Sequence, residues 1–453
     1  MSLPRYDSYK DSGVEWIGEI PAGWECKCLR YLLLPGNHGI KIGPFGSALK
    51  SEYLTPDGYK VYGQENVIND DFERGFRHID ENKFQELEVY EILPGDLLIT
   101  MMGTTGLAKL VPDKIKKGIM DSHLIRVRPD DNQVHPNFLQ LLINDSTYIF
   151  YQKKLLSNGS IMEGLNSSII KSFSIVLPSL SEQTAIASFL DRKTAEIDQL
   201  IANKEKLIAL YEEEKTAIIN RAVTRGLDPA VKTRPSDVDW LGDIPELWEV
   251  KRLKYVINSI TGGGTPSTGN PLFWNGIIPW VSPKDMKSAE ISETEDYVTD
   301  VAVANSSTTP VAPNSILVVV RSGILKHTFP VAINRVTVCL NQDMKAIIPA
   351  DCLDEKFLYW KLKGLSNIVL TVCNKMGATV DSIEVPDLLS LLVTFPQKAE
   401  QTAIVTHIET ECTRLDTIIA KFKKQIELFK EYRTTLISEV VTGKIDVRGE
   451  VGA

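Results

Sequence analysis

The chain has 453 residues, 43% of them hydrophobic, with 59 acidic against 50 basic side chains and a net charge of −9. This length predicts two or more domains with ample cores, and no run of about 18 apolar residues offers a membrane span. The acidic balance excludes a surface that is basic throughout, so a nucleic-acid binder of this composition needs a local basic patch.

The polar opening MSLPRYDSYKDSG lacks the apolar stretch of a secretion signal. Cys26, Cys28, Cys339, Cys352, Cys373 and Cys412 are too scattered for a disulfide framework. The C-x-C at Cys26 and Cys28 has no second pair or His cluster to complete a zinc site. Reduced thiols in a cytoplasmic protein, with no metal and no cofactor in this chain, are the expectation.

The first informative segment is VEWIGEIPAGWECKCLRY, from Val14 to Tyr31. It returns as VDWLGDIPELWEVKRLKY, from Val238 to Tyr255, with ten of eighteen positions identical. After the first copy come the loop IKIGPFGSALK (40–50) and short β-like patterns at KVYGQENVI (60–68), DLLITMM (96–102) and HLIRVRP (123–129). An apolar helix (136–144), a Gly-bearing loop (157–166) and a strand (173–178) close this module.

A long helical pattern then opens at the EQTAI of Glu182 to Ile186. Its apolar stripe is Ile186, Leu190, Ile197, Ile201, Ile208, Tyr211, Ile218 and Ala222, a spacing close to a heptad seam. No Gly or Pro interrupts it before Gly226, which stops it, and Ser181 with Thr184 could cap its start. Glu212, Glu213 and Glu214 read as a solvated face of this helix. The polar linker RGLDPAVKTRPSDVDW (225–240) leads into a second module of the same plan.

There the loop TGGGTPSTG (261–269) precedes strand patterns at 315–323, 330–340 and 344–349. A helix (355–364), a loop (374–383) and a strand (389–396) lead to a second EQTAI, Glu400 to Ile404. Its stripe is Ile404, Ile408, Leu415, Ile419, Ile426, Phe429, Leu436 and Val440, each 218 positions after its counterpart, and Gly443 stops it.

A repeat of roughly 220 residues is far too long for a solenoid and implies two domain-sized modules with an internal pseudo-dyad. Each long helix should run about 40 residues, or roughly 60 Å. Matching stripes should pair them antiparallel, with Ile197, Ile201, Ile208 and Ile218 facing a seam shared with Leu415, Ile419, Ile426 and Leu436. The expected fold class is α+β: two mixed α/β domains with pseudo-twofold symmetry, separated by two long antiparallel coiled-coil-like helices. The expected boundaries are 1–178 for the first domain and 179–226 for the first helix. A linker and repeated entry segment follow at 227–244, then the second domain at 245–396, the second helix at 397–443 and a tail at 444–453.

Catalytic motifs are present only as lookalikes. GTTG (103–106) and TGGGTPSTG lack the Lys of a phosphate-binding loop. NPLF (270–273) is one residue from an amino-methyltransferase signature but has Leu272 where that needs Pro, and no cofactor loop precedes it. The six His residues form no i, i+4 pair. The chain therefore reads as lacking an active site of its own.

What remains suits DNA reading, since Gln and Asn can pair with adenine, Arg with guanine, and hydroxyls and Lys with phosphate. In module one the candidates are Lys41, Ser47 and Lys50; Gln64 and Asn66; Thr104 and Thr105; Ser122 and His123; and Asn158 and Ser160. In module two they are Thr265 and Ser267; Ser282, Lys284 and Asp285; Arg321, Ser322 and Lys326; and Asn341 and Gln342.

The opening YKDSGVEWIGEIP (Tyr9 to Pro21), its partial copy from Val238, the loops GPFGS (43–47) and GGTPS (263–267), GDLLIT (95–100) and the two EQTAI helix entries resemble the specificity subunit of type I restriction-modification systems. The resemblance spans nearly the whole chain. It implies two target-recognition domains, each reading half of a split, asymmetric duplex sequence. It also implies as partners two methylation subunits, which use S-adenosylmethionine, and two restriction subunits, which use ATP and Mg. Because the two glycine loops differ, the half-sites should differ too. A protein-only scaffold and a stand-alone methyltransferase using NPLF are the rival readings.

Overall fold

The computed structural model describes residues 4–36, 38–45, 47–157, 165–374 and 380–450. The chain divides into two compact units, one made of residues 1–204 with 424–453, the other of residues 205–423. Asn158 and Ser160 lie outside the described residues.

In the first unit a four-stranded antiparallel sheet has the order Ile40–Ile42, Leu124–Val127, Leu97–Thr100, Ala108–Leu110. The two central strands are buried along their full length, the polar Thr100 and Arg126 included. A three-stranded sheet has Tyr59–Tyr62 between His78–Ile79 and Gly118–Met120, the last pairing being parallel. Glu25–Cys28 pairs with Ser174–Leu177, tying the repeated entry segment to the strand that leads into the long helix.

The second unit repeats this plan. The order Ile257–Gly262, Met344–Pro349, Ile316–Val319, Val331–Asn334 matches the first sheet and gains Glu290–Ile291 at one edge. Trp274–Val281 lies between Asp296–Val298 and Val338–Leu340, with Pro310–Val311 added outside. Glu249–Arg252 pairs with Leu392–Phe395.

Two strand expectations change. The pattern at 60–68 is a strand only to Tyr62; Gln64–Ile68 is helical, because the Asn66 side-chain Oδ1 accepts the Gly63 N–H at 2.9 Å and turns the chain. The pattern at 330–340 breaks into strands of two different sheets. Asn334 bends it, its buried amide donating to the carbonyls of Ala312 at 2.8 Å and Val336 at 2.9 Å.

The long helices are Leu180–Arg225, of 46 residues, and Lys398–Val441, of 44. The first is capped by Ser179 rather than Ser181: its hydroxyl donates to Glu182 at 2.9 Å and accepts the Glu182 N–H at 3.4 Å. Gly226 and Gly443 end the helices at φ 75° and 73°, a left-handed turn that favours glycine.

The repeated EQ pair now has a physical role. In the first unit Glu182 accepts the indole N–H of Trp24 at 3.3 Å. Buried Gln183 accepts the His135 N–H at 2.7 Å and donates to the carbonyls of Gln133 and Pro178 at 3.1 and 3.0 Å. In the second unit Glu400 accepts from Trp248 at 3.1 Å, and Gln401 repeats all three bonds with Asp354, Cys352 and Pro396, each at 2.8 Å.

The apolar stripes face inward. In the first unit Ile197, Ile426 and Leu436 are buried and Ile201 is half-buried; in the second Leu415 and Ile419 are buried, Ile208 and Ile218 half-buried. Within the first unit Asp198 holds Arg433 at 3.2 Å, and the Lys204 ammonium lies 5.9 Å from the Phe429 ring. Within the second unit, Asp416 holds Lys215 at 2.6 Å, and Phe422 lies 6.0 Å from Tyr211. These are the same positions 218 residues on. In each unit a step forward along one helix meets a step back along the other, so the pairing is antiparallel.

Candidate nucleic-acid interface

In each unit four turns follow the ends of neighbouring strands and meet. In the first, Gly43 fits where a Cβ would overlap the Asp121 carbonyl. The Gln64 side-chain Oε1 accepts the Met102 N–H at 3.1 Å, and Met101 N–H donates to the His123 backbone carbonyl at 3.0 Å. This joins the turns at 43–45, 63–64, 101–106 and 121–123. Arg77 sits at the centre, bridging Glu65 at 2.8 Å and Asp121 at 3.0 Å above Gly63, where a side chain would collide with it. Burial pulls the Arg77 pKa down, but the two carboxylates outweigh it and hold the guanidinium firmly protonated.

The second unit builds the same junction. Gly263 would overlap the carbonyls of Leu340 and Asn341 if it carried a Cβ, and Asn341 N–H donates to Val281 at 2.9 Å, as Asp121 N–H does to Tyr62 at 2.8 Å. The Thr265 hydroxyl bonds the Gln342 side chain. Arg321 donates through Nε to Asp343 at 2.6 Å, which orients its guanidinium.

The expected reading residues divide into three groups. Ser47, Thr104, Thr105 and His123 in the first unit are exposed, as are Thr265, Ser267, Arg321, Lys326 and Gln342 in the second; Gln64, Ser122 and Ser322 are half-buried at the same junctions. A second group is engaged with other side chains. Lys50 pairs with Glu52 at 3.4 Å, and Lys41, on a strand, lies 5.4 Å from the Tyr90 ring. Lys284 bonds Asp296 at 2.9 Å and Glu295 at 3.1 Å, which raises its pKa.

The third group is committed inside the fold and corrects the sequence reading. Asn66 is fully buried, and its amide donates to the Asp71 and Arg74 carbonyls at 2.9 and 2.8 Å. Buried Ser282 donates through N–H and hydroxyl to Asp285 at 2.8 and 2.7 Å, so both form a turn cap. Buried Asn341 accepts the Asp343 N–H at 3.0 Å. None of Asn66, Ser282 and Asn341 has free surface for a base. Sequence reasoning missed Arg77; the basic and aromatic run ERGFRH (73–78) was the available signal.

The NPLF motif is a local turn: Asn270 accepts the Leu272 N–H at 3.1 Å ahead of the short helix Pro271–Phe273. Among the described residues no helix is long and apolar enough to cross a membrane.

The family model for the type I restriction modification DNA specificity domain matches residues 46–209 and, again, residues 245–428. The chain belongs to this family. Among its relatives is the EcoR124I/EcoR124II specificity subunit of Escherichia coli, 33% identical over 57% of this chain and 60% of that one. The match thus spans less than two thirds of that relative. The putative MjaX specificity subunit of Methanocaldococcus jannaschii is 24% identical over 95% of this chain and 96% of its own length. The same fold recurs in a solved structure described as showing complex assembly and conformational transition of the type I R-M system. That chain has a TM-score of 0.72 at 16% identity, covering 94% of this chain and 99% of its own. It recurs too in the HsdS subunit of Thermoanaerobacter tengcongensis, with a TM-score of 0.56 at 16% identity over 94% of this chain and 98% of that one. This type I specificity subunit therefore carries two copies of the specificity domain, each with its own junction of four turns.

Proposed function

We propose that each unit reads one half of a bipartite, asymmetric duplex DNA target. On this reading the chain recruits two methylation subunits and two restriction subunits and performs no chemistry itself. S-adenosylmethionine, ATP and Mg belong to those partners. The observation that supports this best is that one arrangement of four turns occurs twice with different residues. A duplicated frame keeps the geometry of approach, while Gln64, Thr104 and His123 in one unit, and Arg321, Lys326 and Gln342 in the other, present different donors and acceptors to base edges. Phosphate contacts from lysines and turn amides would supply salt-dependent affinity despite the acidic total.

The test is an exchange of residues 33–176 for the matching stretch of a relative with a known target, followed by methylation-sensitive sequencing of host DNA. One half-site should change and the other stay. A change in both half-sites would refute the two-reader reading. Methyl transfer to DNA by the pure chain would refute the absence of catalysis.

A further inference from the structure

Phe45 and Phe76 are 83% and 92% exposed, among the most exposed large apolar side chains of the first unit. Phe45 lies in one of the four turns, and Phe76 is next to the arginine at their centre. Phe45 lies two residues beyond Gly43, which packs on the Asp121 turn. Phe76 precedes Arg77, whose side chain turns inward to Asp121 and Glu65 while the ring stays outside.

The second unit places polar residues at the same points. Phe45 of GPFGS (43–47) corresponds to Thr265 of GGTPS (263–267). The strand register gives the other match. Tyr62 and Val281 play the same part at their junctions, and the pairs Lys60↔His78 and Pro279↔Tyr297 lie two residues earlier. Phe76 thus stands where the second unit has Glu295, a side chain paired with Lys284 and Lys287. One copy of the frame exposes two rings to water where the other exposes a hydroxyl and an ion pair.

An exposed aromatic ring gains free energy by leaving water to pack against an apolar group. At the major-groove edge of B-form DNA the apolar group is the C5 methyl of thymine. We propose that Phe45 and Phe76 each contact a thymine methyl in the half-site read by the first unit, and that the second unit reads its half-site without such contacts. This rests on the reading of the first unit as a DNA reader.

Once the target sequence is known, uracil replaces each thymine of the first half-site in turn, which removes only the methyl. Binding of the full chain is measured by competition. Wild type should lose about fourfold at one or two of these positions, the effect of one buried methyl. Phe45→Thr and Phe76→Ala should each bind thymine and uracil duplexes equally at one such position, whereas Phe→Leu at either site should keep the preference. Uracil in the second half-site should have the same effect on wild type and variants. Equal binding of thymine and uracil duplexes by wild type across the first half-site overturns the proposal, as does full sensitivity in both variants. If wild type does not distinguish its target from a scrambled duplex, the DNA-reader reading fails first and the proposal falls with it.

Discussion

Lys361 is a buried lysine in the second unit, donating to the Val223 carbonyl and, at 2.6 Å, to the Thr394 hydroxyl, with the Trp248 ring 5.7 Å away. The first unit has Leu142, Val441, Val176 and Trp24 at the matching positions, all apolar. Burial pushes the Lys361 pKa from 10.5 down to about 7. Between those values the unfolded chain binds a proton that the folded unit does not. Stability of the second unit should therefore rise with pH from about 7 towards 10, by on the order of 1 kcal/mol per pH unit, and level off below about 7. The double change Lys361→Leu with Thr394→Val copies the first unit and should flatten the dependence. Urea unfolding between pH 7 and 9.5 checks this; a wild-type stability that falls over that range would contradict the assignment.

The long helices are anchored at their entries by side chains that the sequence repeats. The fully buried Gln183 closes three hydrogen bonds, and Gln401 does the same in the other unit. Gln183→Leu would leave the His135 N–H and two carbonyls unpaired and should destabilise the first unit by about 2–4 kcal/mol. Gln401→Leu should do the same to the second unit. Denaturant unfolding followed in each unit decides the matter, and a loss below about 0.5 kcal/mol would mean that these bonds are replaced by water. The apolar stripe was legible because a helix repeats its face every 3.6 residues. The role of Glu182, Gln183 and Trp24 was not, although their repetition was plain, because Gln183 meets His135 from 48 residues away and Glu182 meets Trp24 from 158 residues away.

Each long helix belongs partly to both units: residues 180–204 of the first lie in one unit and 205–225 in the other. If the units read two half-sites, the helices bear on the spacer between them. Deleting four residues from each helix removes about 6 Å of rise while keeping the apolar face close to phase, since a turn takes about 3.6 residues. The spacer should then shorten by about one or two base pairs, at about 3.4 Å each, with both half-sites unchanged. Methylome sequencing of cells carrying the shortened chain reads this out. An active variant with an unchanged spacer would show that another element sets the distance.

The sequence by itself determined the duplication, the two long helices with their stripes, the glycine stops and the family, because these are carried by local order and by residues repeated at a fixed interval. Which polar residues face solvent is settled by long-range packing. Asn66 and Gln64 stand two positions apart in one polar run; Asn66 closes onto the carbonyls of Asp71 and Arg74 and disappears, while Gln64 stays at the junction. Lys361 and Lys326 look alike in the sequence, yet one is buried and the other exposed. A polar side chain is buried at low cost only where other groups of the folded chain satisfy its hydrogen bonds. That matching is made when the chain folds, and no local pattern records it.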